Sequence, residues 1–145
     1  MGLKFASIVG FCVSPLVLVI LFMRESLLAV GFVAIFIQVI AVLLMLWARL
    51  IFGRRSFHAS ADPTEGGLIT TGPYRYLRHP IYAAILYFLW SGIFCHLSLL
   101  NVLLGLIATV GLFIRMFAEE RLVTRQYSSY AEYALHTKRI IPYVL

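Results

Sequence analysis

Three groups of residues in this chain have the types and spacing from which a reactive site can be built. The first is Gly72-Pro73-Tyr74-Arg75-Tyr76-Leu77-Arg78-His79-Pro80-Ile81-Tyr82, where cationic side chains, aromatic rings and prolines gather directly ahead of a long apolar run. A membrane span requires apolar length, and nothing in that requirement asks for His79-Pro80-Ile81-Tyr82. Proline is favoured at the first position of a helix, where its missing N–H costs nothing. Pro80 is therefore expected to open a helix, with His79 just outside it. The free N–H groups and positive dipole end of that helix suit a carboxylate or a phosphate. The plainer alternative makes His79 and Tyr82 aromatic anchors at a membrane surface.

The second group is Arg115, Glu119 and Glu120. Arg115 lies within or at the edge of an apolar segment, and an ionisable group at that depth is a functional candidate. Arg115 and Glu119 are four apart and share a helical face, which also permits a simple intrahelical ion pair with a snorkelling arginine. Glu120 points elsewhere on the helix, with a structural or tail-packing role as open as a chemical one. The third group is Gly66-Gly67-Leu68-Ile69-Thr70-Thr71-Gly72-Pro73-Tyr74, whose glycines let backbone approach a ligand or turn sharply. It has neither a phosphate-loop signature nor a glycine-rich turn opening a helix after a strand, so a Rossmann site is excluded.

The elements that must position these groups belong to a lipid environment. The chain is 62% hydrophobic and 12% charged over 145 residues, with a mean hydropathy of +0.96. A soluble domain averages about 25% charged residues. The apolar residues form long runs rather than a helical stripe, which indicates an integral membrane protein of one domain, residues 1–145. The net charge of +6 comes largely from residues that flank those runs, among them Arg49, Arg54, Arg55, Arg75, Arg78, Arg121, Arg125, Lys138 and Arg139. Such placement sets membrane orientation and draws anionic headgroups, and it excludes nucleic acid as the partner. Cys12 and Cys95 lie in apolar runs and read as packing residues, and no metal-ligand spacing occurs.

Four spans are expected, at about 5–23, 27–48, 81–96 and 99–117. The first ends at Arg24-Glu25 without a small-residue cleavage site, so it reads as a retained span rather than a signal peptide. Arg24-Glu25-Ser26 and His96-Leu97-Ser98 would each close a tight helical hairpin. Gln38, the one strongly polar residue of the second span, is expected to bond a neighbouring helix. His96 and His136 read as surface groups, and His58 as a loop residue able to face the site. A loop of about thirty residues, 49–80, holds five arginines, and a long loop in a compact protein is usually functional. From Ala118 the tail is amphipathic and is expected to form an interfacial helix. The expected fold is thus all-α: a polytopic bundle of four transmembrane helices in two hairpins, with a cytoplasmic loop and an interfacial C-terminal helix. The positive charge of the loop and tail puts both termini and the polar groups in the cytoplasm.

Taken together, Leu68-Ile69-Thr70-Thr71-Gly72-Pro73-Tyr74, Arg78-His79-Pro80-Ile81-Tyr82, Glu119-Glu120 with Leu122, Tyr130 with Tyr133, and Thr137-Lys138-Arg139 with Ile141-Pro142 give the chain a family likeness. It resembles the isoprenylcysteine carboxyl methyltransferase family, which is related to the phospholipid N-methyltransferases. The likeness covers residues 66–142, about half the chain, and departs from the family pattern at Ala84 and at Tyr127-Ser128. The resemblance implies a membrane methyltransferase that binds S-adenosylmethionine on the cytosolic side. Gly67, Leu68, Ile69, Tyr74, His79, Pro80, Ile81, Tyr82 and Glu119 would line the cofactor pocket, and Arg115 would meet a lipid-like or prenylated acceptor.

A carboxylate acceptor is already ionised at neutral pH and needs no general base, so the enzyme would position reactants and exclude water, with Arg115 and His79 as the candidate catalytic groups. The alternative, a lipid amine, must lose a proton, with His79 or Glu120 as candidate bases. A second alternative is a non-catalytic membrane protein that keeps the fold for assembly or partner binding.

Overall fold

The computed structural model describes residues 2–53 and 67–142. His58 and the stretch 54–66 of the expected loop lie outside the described residues. Among these residues five helices follow in order: α1 (Gly2–Met23), α2 (Phe32–Phe52), α3 (Pro80–Cys95), α4 (Leu99–Gln126) and α5 (Tyr130–His136), with a 3₁₀ turn at Gly72–Arg75. Among the described residues the nearest thing to a sheet is a single parallel bridge between Leu77 and Lys138.

Among the described residues two helices are long and apolar enough to cross a membrane, Phe32–Phe52 and Leu99–Gln126, while the apolar stretches Ile8–Met23 and Pro80–Cys95 are shorter. Only 17% of the most apolar window of α2 is buried within the protein, as suits a helix facing lipid rather than a helix in a soluble core.

α3 begins at Pro80 with His79 as its N-cap, and it ends where the N–H of His96 turns back to the carbonyls of Gly92 and Ile93. Ser98 caps α4, its Oγ accepting from the Asn101 N–H at 3.2 Å. The two expected hairpin pairs are nevertheless not the best-packed ones. α1 packs along α4 and α2 along α3, with a shorter contact between α3 and α4. α1 and α4 cross where Gly10 faces Gly111, and a Cβ on Gly10 would collide with the Gly111 carbonyl. Small residues permit such close approach, which membrane helices rely on because lipid offers them no hydrophobic drive to associate.

Three expectations are corrected. The three-residue hairpin after the first span is instead a non-helical connection from Arg24 to Gly31, so α2 starts at Phe32 and not at residue 27. Its apolar residues resemble span, but they lie across the end of α3, where the Leu27 carbonyl occupies the space a side chain on Gly92 would need. Gln38 fastens it, donating to Leu27 O at 2.9 Å and to Phe88 O on α3 at 3.1 Å, and accepting from the Ala29 N–H at 3.0 Å. Second, no break occurs at Ala118. α4 continues to Gln126, because residues 118–126 contain neither proline nor glycine to stop it. Third, the helix beyond it, α5, is only seven residues long.

Candidate active site

The N-terminus of α3 and the last turns of α4 lie at the same end of the molecule, and the polar groups of both converge there. Tyr82, in the first turn of α3, donates its hydroxyl to Glu119 Oε1 at 2.5 Å. The same hydroxyl accepts from Arg115 Nε at 2.7 Å, and that nitrogen lies 3.0 Å from Glu119 Oε1. Arg115 is only 4% exposed, so its charge is compensated inside the protein by Glu119, one turn further along α4. The other carboxylate oxygen, Glu119 Oε2, stands 3.9 Å from His79 Nδ1, beyond hydrogen-bond range.

Glu120 gathers a second set of partners. His79 Nε2 lies 3.2 Å from Glu120 Oε1, Arg78 Nη1 lies 3.3 Å from the same oxygen, and Arg139 holds Oε2 through Nε and Nη2 at 3.2 and 3.1 Å. The Arg139 guanidinium also rests over the Phe117 ring, 5.4 Å from its centre. The His79 ring stacks on Tyr82, with centroids 5.4 Å apart and planes inclined by 13°. Arg78 Nε is buried without a hydrogen-bond partner.

The tail closes this end through its backbone. Arg78 N–H donates to Lys138 O at 2.6 Å, His79 N–H to Arg139 O at 3.1 Å, and Lys138 N–H to Tyr76 O at 3.2 Å. Tyr87 hydroxyl donates to Ile140 O at 2.6 Å. Beneath lies a core of Leu77, Ala83, Leu86, Leu112, Met116 and Ile140, which joins α3, α4 and the tail in one apolar cluster. Tyr74 packs on Phe52, and its carbonyl accepts from the Tyr133 hydroxyl at 2.6 Å. Burial, together with the negative fields of Tyr133 and Glu119, pushes the Tyr74 phenol above its usual range, so Tyr74 stays a neutral donor near the carboxylate. Burial first, and then its neighbour Tyr130, raises Tyr133 in the same way. An apolar groove of 670 Å³ runs alongside between α2, α3 and the tail, lined by Leu44, Trp47, Leu77, Tyr87 and Pro142 among others.

Of the expected site residues, the structure brings His79, Tyr82, Arg115 and Glu119 into one constellation, with Tyr74 close enough to feel Glu119. Pro80 and Ile81 form the first turn of α3 beside them. Gly67, Leu68 and Ile69 are described but make no hydrogen bond or ion pair within this constellation. Spacing alone did not reveal that Glu120 faces the same end as Glu119, or that Arg139 reaches it. The available signal was the tail motif itself, whose Lys138-Arg139 pair is too polar to be packing.

The sequence profile of the phospholipid methyltransferases matches residues 26–130, from the connection ahead of α2 to the start of α5. The chain belongs to the phospholipid methyltransferase family. It is therefore a membrane methyltransferase, of a kind whose usual methyl donor is S-adenosylmethionine. The match reaches the broader group of membrane methyltransferases and does not single out the isoprenylcysteine carboxyl methyltransferases. It also stops short of Arg139, so the tail that closes the site lies outside it. No curated protein and no solved structure matches the chain.

Proposed function

We propose that the protein transfers a methyl group from S-adenosylmethionine to a lipid-like acceptor at the cytoplasmic face of a membrane, and that the acceptor is a lipid amine. The observation that carries this reading is the unequally held carboxylate: Glu119 is fixed through Oε1 by Tyr82 and Arg115, while Oε2 stands 3.9 Å from His79 Nδ1 on a side chain that is 22% exposed. That arrangement fits an ammonium or ribose hydroxyls. The first-turn N–H groups of Ile81 and Tyr82, which have no acceptor inside their own helix, fit a carboxylate. The bound cofactor would supply an electrophilic methyl group. Tyr74 and the stretch Gly67-Leu68-Ile69 would line its pocket. Arg115, buried and committed to Tyr82 and Glu119, holds those two in place rather than meeting the acceptor. The groove along α2 and α3 offers an apolar berth for the acceptor's chain.

The family favours a phospholipid over the carboxylate of a prenylated acceptor. Four spans with both termini inside accompany the reading: α3, with 16 residues, is about 24 Å long and short for a hydrocarbon core of about 30 Å, which local thinning of the bilayer accommodates. Calorimetric titration of the folded protein in detergent with S-adenosylhomocysteine tests the cofactor, and absence of binding defeats the reading in favour of a non-catalytic protein. Methyl transfer from labelled cofactor into a total membrane extract identifies the acceptor, and a base-labile methyl ester would replace the amine with a carboxylate. Fusion reporters at residues 24–26 and after Leu145 test the topology, which a cytoplasmic signal at 24–26 overturns.

A further inference from the structure

Two adjacent carboxylates flank a single imidazole, and they hold it unequally. Glu120 Oε1 is at hydrogen-bond distance from His79 Nε2, 3.2 Å, whereas Glu119 Oε2 is 3.9 Å from Nδ1. An ionised carboxylate only accepts, so the close contact places the ring proton on Nε2. In the neutral ring Nδ1 then keeps its lone pair. The wider gap is bounded by two acceptors, Nδ1 and Oε2. With Oε2 given to the cofactor in the proposed site, Nδ1 is the acceptor left for a substrate ammonium.

The ring is also prevented from turning. It is stacked on Tyr82, its own backbone N–H is tied to Arg139 O, and its partner Glu120 is gripped by Arg78 and Arg139. Glu120 is thereby committed on both oxygens and is not placed to take a proton from a substrate. His79 has one nitrogen used for orientation and the other turned toward Glu119. A base held by a third group in this way is a recurrent arrangement in acid–base catalysis.

We infer that His79 Nδ1 is the proton acceptor for an amine substrate, and that Glu120, locked by Arg139, is the residue that positions it. This rests on the methyltransferase reading. An ammonium has no lone pair with which to attack. Its proton passes to Nδ1, the pair left on nitrogen becomes the new N–CH3 bond, and the pair of the methyl's former bond leaves with the donor's sulfur. His79 emerges as an imidazolium flanked by Glu119 and Glu120.

Nitrogen-15 spectra of histidine-labelled protein in detergent, with the His79 signals assigned through His79→Gln, read the tautomer without any turnover. The proton is expected on Nε2 in the parent and on a mixture of both nitrogens in Glu120→Gln; a parent signal with the proton on Nδ1 overturns the inference. In methyl transfer to a lipid amine, His79→Gln is expected to lower kcat by roughly 10²–10⁴-fold. Its residual rate, measured at saturating cofactor, should climb with pH as free amine appears. Glu120→Gln should lower kcat with little change in the KM for the cofactor. Full activity of His79→Gln at neutral pH with intact cofactor binding defeats this inference and leaves the methyltransferase reading standing. Absence of cofactor binding in the parent defeats both.

Discussion

At both ends of the helix bundle a non-helical stretch of chain is laid across helix termini, but the two stretches are fastened by different chemistry. At the end where α3 finishes and α4 begins, residues 24–31 are held by neutral groups. Gln38 bonds Leu27, Ala29 and Phe88, His96 Nε2 lies 3.0 Å from Leu28 O, and Cys95 Sγ donates to Val30 O. Arg24 Nε reaches Asn101, whose amide in turn donates to His96 O at 2.7 Å. The amide of Gln38 uses both its oxygen and its nitrogen, so nothing at its centre is left to offer. At the other end, residues 137–140 are held beside two carboxylates and their cations, yet Arg78 Nε is buried without a hydrogen-bond partner among the described residues, and Glu119 Oε2 and His79 Nδ1 stand 3.9 Å apart, too far to bond each other. A network whose polar groups are satisfied is a joint. One that leaves buried capacity unused calls for a ligand, because such groups are costly to leave unpaired.

Substitutions at each end put this contrast at risk. The largest effect is expected from Glu119→Ala, which should weaken S-adenosylhomocysteine binding about 100-fold in calorimetry, as befits a charged hydrogen-bonding partner. Unchanged affinity would make the second end a joint like the first. Gln38→Leu removes three hydrogen bonds at about 0.6 kcal/mol each, so a loss of about 2 kcal/mol is expected in reversible detergent unfolding. Cofactor affinity should not move, and a parallel loss of binding would break the division between the two ends. A smaller effect belongs to Tyr130, pushed up from 10.0 to about 12 by burial and then by the negative charge of Glu120. The folded state favours the neutral phenol, so this contribution to stability is complete below pH 10 and fades as pH rises toward 12. Tyr130→Phe should flatten that alkaline limb in pH-dependent unfolding, which no tyrosine in residues 24–31 can reproduce. Smallest of all, Arg24→Ala should cost less than about 1 kcal/mol, since Arg24 is exposed.

Local chemistry was legible in the sequence where one residue dictates one geometry. Proline at a first helical position located the start of α3, three residues marked the turn into α4, and a lone glutamine in apolar surroundings announced a contact with another helix. What stayed hidden depends on pairings distant in the chain. Leu27 to Gly31 carry the same apolar character as a span, and only the end of α3 beneath them explains why they do not coil. Glu119 and Glu120 differ by about 100° around a helix, which suggests separate faces. Arg78, His79 and Arg139, arriving from two other segments, bring both carboxylates into one cluster. The packing of α1 on α4 follows from Gly10 meeting Gly111 across a hundred residues, a match that no local pattern announces.

The unbroken run of α4 also makes the site sensitive to its solvent. Twenty-eight helical residues extend about 42 Å at 1.5 Å each, whereas the hydrocarbon core is about 30 Å thick. Asn101 anchors one end of this rod to the neutral joint, and Arg115, Glu119 and Glu120 ride on the other. The distance of the carboxylates from that joint is then set by a ruler rather than by a hinge. On the proposed function, lipid thickness becomes a control on how deeply an acceptor headgroup meets the site.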